Sequence, residues 1–180
     1  KLERLEQALS LLTSFTEDMA RRGMAARSQW LDRGIYTASP DEMMVLGLSA
    51  SELVSRLSRL RIADETPLAI ERATLSSAIL PDPQLVGTSL YAHLEARGHR
   101  PVRAVQRIRA VGIDPADAQL LELPAGAAVL QIERTSFAAS GAALASRSDP
   151  IPVAEPAGAA AQQGVVGPGD GAKPREVYLK

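Results

Sequence analysis

The chain has 180 residues, a formal net charge of −1, 46% hydrophobic residues and no cysteine. That is enough to bury one core with some tail to spare. It lacks the basic excess of a free-standing nucleic-acid binder, and it excludes disulfides, thiol catalysis and Cys-ligated zinc.

Arginine supplies 17 of the 20 basic residues, so chance pairs of arginines are frequent and weak evidence by themselves. No apolar run reaches the ~20 residues that span a bilayer, and the charged start Lys1-Leu2-Glu3-Arg4 opens no signal peptide. The chain therefore reads as cytoplasmic, with no membrane partner. Its non-Met start is the expected mark of a fragment of a longer protein.

Residues 2–19 have helical spacing, with Leu2, Leu5, Leu9 and Leu12 at three- and four-residue steps and Gly23 as a stop. Residues 25–36 read as extended. Ser39-Pro40-Asp41-Glu42 is a capping box with proline at the first helical position, so a short helix ends near Gly47. Residues 51–62 and 68–75 form two long strands of a hairpin, turning through Asp64 and Pro67. Residues 89–97 read as a helix that Gly98 ends.

Residues 102–113 form another strand. Asp114-Pro115 opens a second capped helix, and residues 129–137 form a further strand. Ser140-Gly141 signals a turn. From 141 to 180, 11 of 40 positions are Gly or Pro, a composition that favours disorder. The expected division is a domain over residues 1–148 and a flexible tail over 149–180, with room for one short strand near 176–179. The expected fold class is α+β, an antiparallel sheet flanked by helices.

Several segments, in this order, resemble one family. They are Ser14-Phe15-Thr16-Glu17-Asp18-Met19, the run Arg59-Leu60-Arg61 with Ala63-Asp64 and Pro67, and Ser89-Leu90-Tyr91. Leu123-Pro124-Ala125-Gly126 followed by Ile132-Glu133-Arg134-Thr135 completes the series. Together they resemble the UTRA domain, the effector-binding domain of GntR-type transcription regulators of the HutC subfamily. The resemblance implies a chorismate lyase-like fold and a homodimer. It also implies a small anionic effector, such as a phosphosugar or small acid, and a winged helix–turn–helix domain ahead of this one that binds DNA. It implies no enzyme activity. Two other readings stand beside it, a chorismate lyase-like enzyme and a dimerisation module with a vestigial pocket.

Arg59 and Arg61 point to one face of a strand and offer bidentate donors to a phosphate or carboxylate. Spacing alone favours an exposed pair neutralised by Glu71 or solvent, whereas the resemblance makes them the anion-binding arginines. Glu71 would neutralise them, accept from effector hydroxyls, or do both. Ser89 and Tyr91 fit a helix-start anion site, or else a plain cap and a packing tyrosine. Ser14, Phe15 and Thr16 would close the pocket from the other side, unless a helix simply continues through them. No catalytic residue, cofactor or metal site is expected, and His93 and His99 are not read as ligands. The family's closing segment carries a glutamate and a tyrosine. Here it reads Gly141-Ala142-Ala143-Leu144-Ala145, and Ser146-Arg147-Ser148-Asp149 is a shortened echo.

Overall fold

The computed structural model describes residue 23, residues 25–153 and the backbone of residues 177–179. Seven strands form one sheet: β1 (Ala26–Thr37), β2 (Leu53–Ala63), β3 (Thr66–Ser76), β4 (Arg103–Gly112), β5 (Ala128–Phe137), β6 (Ala143–Pro152) and β7 (Val177–Leu179). Their spatial order is β1-β2-β3-β6-β5-β4-β7, and each neighbouring pair is antiparallel. Three short helices flank it, α1 (Pro40–Leu46), α2 (Leu90–Ala96) and α3 (Pro115–Leu120). Among the described residues no helix is long and apolar enough to cross a membrane.

Local chemistry fixes the elements. Asp64 and Glu65 both take positive φ, 46° and 66°, as a two-residue hairpin between β2 and β3 demands. Gly141, at φ 87°, turns β5 into β6. At α1 the Ser39 side chain accepts from the Glu42 backbone N–H, and the Glu42 carboxylate accepts from the Ser39 N–H. Arg56 clamps the same carboxylate through two bonds of 2.7 Å.

The Arg56 hydrogen bonds hold the Glu42 carboxyl down to about 2; partial burial opposes them and the Ser39 bonds add to them. A lowered carboxyl stabilises the fold above the ordinary carboxylate range, and that stability is lost as pH falls toward 2. Glu42→Ala should cost about 1 kcal/mol at neutral pH and flatten the acid limb of the stability curve. Urea unfolding from pH 3 to 7 measures both.

Alternation along the strands gives the sheet two differently used faces. Over one, Leu57, Ala73, Leu75 and Ala145 pack with Leu90 and Leu94 of α2 and with Leu80 and Val86. Over the other, Leu60, Ile62, Ile70 and Val129 pack with Ala118 of α3 and its neighbours Ile113 and Leu121. Leu75, Leu80 and Leu94 are fully buried, each contributing about 1.5–3 kcal/mol of transfer free energy.

β6 corrects the expected division. It runs to Pro152, so Asp149 to Pro152 belong to the sheet and not to a tail beginning at 149. It lies between β3 and β5, where Pro150 and Pro152 leave most of the ladder intact. The short strand anticipated near the C-terminus is β7, paired with β4. Of the tail expected over 149–180, residues 154–176 and 180 lie outside the described residues, as does the expected helix over 2–19.

Candidate functional site

The register places one row of side chains across the first face. Trp30 pairs with Arg59, Arg59 with Glu71, Ser28 with Arg61, and Ala73 with Arg147. Arg59 and Arg61 are each 2% exposed and Glu71 4%. Ionised groups enter such a place only when paired and hydrogen-bonded.

Glu71 is the hub. Arg59 donates to its Oε1 through Nε (3.2 Å) and Nη2 (2.7 Å). On Oε2 it meets Arg61 Nε at 3.3 Å and Arg147 Nη2 at 3.2 Å. Arg147 also donates to Asp149 Oδ2 at 2.8 Å. The outer nitrogens bind backbone carbonyls and one hydroxyl: Arg59 Nη1 donates to the Gly87 and Thr88 carbonyls at 3.2 and 3.1 Å, and Arg61 Nη1 to Thr88 O at 3.2 Å and Ser28 Oγ at 2.6 Å. The Arg59 guanidinium lies 5.0 Å from the Trp30 ring centre.

The electrostatics follow from burial and neighbours. Burial pushes the Glu71 carboxyl up, but Arg147, Arg59 and Arg61 together outweigh it and hold the group below the ordinary range. Burial lowers Arg61 to about 10, against the pull of Glu71. Burial raises Asp149 to about 6, with Arg147 opposing and the neighbouring Glu71 charge adding to the rise. Tyr91 ends below its ordinary value, because Arg147 and the bond to Ser136 overcome burial.

Arg134 shares the face and is half-buried. It donates to Gln106 Oε1 through Nε at 2.8 Å and Nη2 at 2.5 Å. Arg59, Arg61, Arg147 and Arg134 thus confront Glu71 and Asp149, leaving two positive charges in excess in a poorly solvated region. An arrangement of that sign attracts a small anion. On the opposite face, a cavity of about 500 Å³ is lined by Asp32, Glu42, Arg56, Arg72 and Thr74 among others. Its cations are spent on internal partners, Arg56 on Glu42 and Arg72 on Asp117. Among the described residues no group of three or more His, Asp or Glu could hold a metal ion.

The sequence model of the UTRA domain family matches residues 21–147. The chain belongs to the UTRA domain family. It is 32% identical over 144 residues to the HTH-type transcriptional repressor NagR of Bacillus subtilis, covering 78% of this chain and 59% of that protein. It is 23% identical over 132 residues to the HTH-type transcriptional regulator GgaR of Escherichia coli, covering 73% and 53%. The chain thus spans somewhat over half the length of these curated relatives. The effector domain of PhnF from Mycobacterium smegmatis matches the fold with a TM-score of 0.73 at 25% identity, over 77% of this chain and 88% of that one. The sheet and its flanking helices are the chorismate lyase-like architecture of such effector domains.

Within this UTRA domain the structure brings Arg59, Arg61 and Glu71 into one cluster. Tyr91 joins its edge: the hydroxyl lies 3.1 Å from Ser136 Oγ, and Arg147 sits 5.9 Å from the ring centre. Ser89 is an N-cap, its hydroxyl accepting from Ala92 N–H at 3.2 Å, and α2 has only seven residues. The Ser89 hydroxyl thus caps the start of α2. Ser14, Phe15 and Thr16 lie outside the described residues.

Sequence reasoning did not single out Ser28, Thr88, Gln106, Ser136, Arg147 or Asp149 as site residues. The last two carried a signal in the shortened echo of the family's closing strand. Glu133 faces the other way and pairs with Arg109 and Arg107.

Proposed function

We propose that this UTRA domain is the effector-sensing part of a HutC-type GntR transcription regulator, which binds a small dianionic metabolite on the Arg59–Arg61–Arg147 face. The effector would control DNA binding by a winged helix–turn–helix domain ahead of it in a homodimer. The observation that carries this reading is the buried positive excess around Glu71. A net excess of two favours a phosphate monoester, which carries about −1.5 to −2 at neutral pH, over a monocarboxylate.

The donors facing the effector are not idle. Arg59 and Arg61 hold the Gly87 and Thr88 carbonyls. An anion would displace those carbonyls, so occupancy is coupled to the segment that leads into α2. The same bonds favour a second reading, in which the pocket is permanently closed and the domain only dimerises.

One titration separates the two. Inorganic phosphate or sulfate should raise the melting temperature and change Trp30 fluorescence, because Trp30 stacks on Arg59. At 100 times its dissociation constant a ligand adds ~2.7 kcal/mol. Arg61→Ala should remove the response. A panel of small anions that leaves Tm unmoved favours the closed module. A response undiminished in Arg61→Ala places the site elsewhere, and pyruvate release from chorismate would replace both readings with catalysis.

A further inference from the structure

The cavity of about 500 Å³ on the second face lies outside the anion site, and its size falls in the roughly 300–1,000 Å³ range of small-molecule sites. The ladders build its floor in two adjacent rows. Asp32, Ser58, Arg72 and Ser148 stand side by side in one, and Arg56, Thr74 and Ser146 in the next. On β2 this is a polar break between two apolar clusters, with Val54 at one end and Leu60 and Ile62 at the other. The floor residues alternate with members of the cationic cluster, Ser58 with Arg59, Arg72 with Glu71, and Ser146 and Ser148 with Arg147. The cavity is therefore backed against that cluster through the sheet.

The floor is rich in groups that both donate and accept. The Ser58 and Ser146 hydroxyls make no hydrogen bond to another described residue. Thr74 donates to Glu42 Oε1 at 3.2 Å and keeps its acceptor side, and Ser148 accepts from Gln131 and keeps its O–H. The arginines are balanced, Arg56 by Glu42 and Arg72 by Asp117. Asp32 stands at the mouth. Both its oxygens accept from one hydroxyl, that of Tyr36, at 2.8 and 2.9 Å, which leaves lone pairs open. Tyr36 reaches it by lying back over Gly34, where a Cβ would meet the Tyr36 ring and hydroxyl at 2.8–2.9 Å.

We propose that this cavity is a second small-molecule site, one that takes an uncharged polyol such as a cyclitol or a sugar ring. It stands independently of the anion site on the first face. An anion would have to unseat Glu42 or Asp117 from its arginine, and an apolar ligand would strip water from the hydroxyls without replacing it. A ring of hydroxyls does neither. Its O–H groups donate to Asp32 and its oxygens accept from Ser58 and Ser146, with the bond to the carboxylate the stronger, charge-assisted one. A handful of such bonds to a half-open floor implies a dissociation constant of about 1 mM.

The test titrates myo-inositol and D-glucose into the isotope-labelled chain at neutral pH and follows backbone amide shifts by NMR, with cyclohexanol as a ring that bears one hydroxyl. Saturable shifts should centre on Ser58, Thr74 and Ser146 for at least one polyol, and cyclohexanol should not reproduce them. Ser58→Ala and Ser146→Ala should each weaken that binding about threefold to tenfold, as the loss of one neutral hydrogen bond implies. Gly34→Ala, which pushes Tyr36 off Asp32, should weaken it as well. No saturable shift with either polyol up to about 50 mM, well above that dissociation constant, overturns the site. So does an equal response to cyclohexanol, which marks an apolar cleft, and so does binding undiminished in the serine variants. Competition by inorganic phosphate would put the polyol in the anion site, and amide shifts that follow protein concentration alone would give the face to a second copy of the chain. Either result overturns the proposal.

Discussion

Glu71→Gln destabilises the domain by about 3–5 kcal/mol, the cost of removing one partner from a buried ion pair. The substitution keeps size and shape, so packing is not the cause. It removes the one charge that Arg59, Arg61 and Arg147 all share. Three guanidiniums then face a single amide oxygen where water cannot screen them. Because Glu71 titrates below the ordinary range, its contribution is fully present at neutral pH and is lost as pH falls through its folded pKa.

Urea unfolding at pH 7.5 reads the difference. The contrast is Glu133→Gln on the other face, whose partners Arg107 and Arg109 are more than one-third exposed; that change should cost under about 1 kcal/mol. Sulfate should rescue Glu71→Gln more than it stabilises the parent chain, since it returns charge to the cluster. A Glu71→Gln penalty no larger than that of Glu133→Gln would mean that the cluster is not the electrostatic unit described.

How much of this was legible beforehand depended on the range of the signal. The capping box at Ser39 and Glu42, the Asp114-Pro115 helix start and the Ser140-Gly141 turn are local, and each appears where its chemistry requires. Alternation put Arg59 and Arg61 on one face without a structure. Their burial was not legible, because spacing does not distinguish a solvated face from one covered by α2 and the Gly87-Thr88 segment. Composition misled at β6. Glycine and proline averaged over forty residues hid a ten-residue strand whose charged members alternate inward as Arg147 and Asp149. Nor does any local pattern reveal that β6 inserts beside β3, some seventy residues away in the chain. The site is therefore half local, the β2–β3 hairpin, and half topological, the closing strand.

The closing strand supports the second large effect. Arg147 Nη2 bonds Glu71 Oε2 and Asp149 Oδ2, and its side chain is 11% exposed. The pairing of Ala73 with Arg147 and of Arg72 with Ser148 brings Glu71 opposite Asp149 on neighbouring strands. In Arg147→Met the cation between them is gone, and two buried carboxylates repel one another. The expected loss is about 3–5 kcal/mol at pH 7.5.

Asp149→Leu in the same background removes the repulsion, so the double variant should be more stable than the two single losses predict by about 1–3 kcal/mol. The pH dependence has a definite sign. A carboxyl raised in the folded state binds more protons than the unfolded chain between its two pKa values. Its contribution to stability therefore declines as pH climbs from the ordinary aspartate range to about 6. Without Arg147 the rise in Asp149 is larger, so Arg147→Met should be markedly more stable at pH 5 than at pH 7.5, and Asp149→Leu should erase that difference. Additive single losses, or an Arg147→Met chain indifferent to pH between 5 and 7.5, would show that β6 docks through its backbone ladder alone. The cluster would then be a passenger on the sheet, and not the element that ties its last strand to the site.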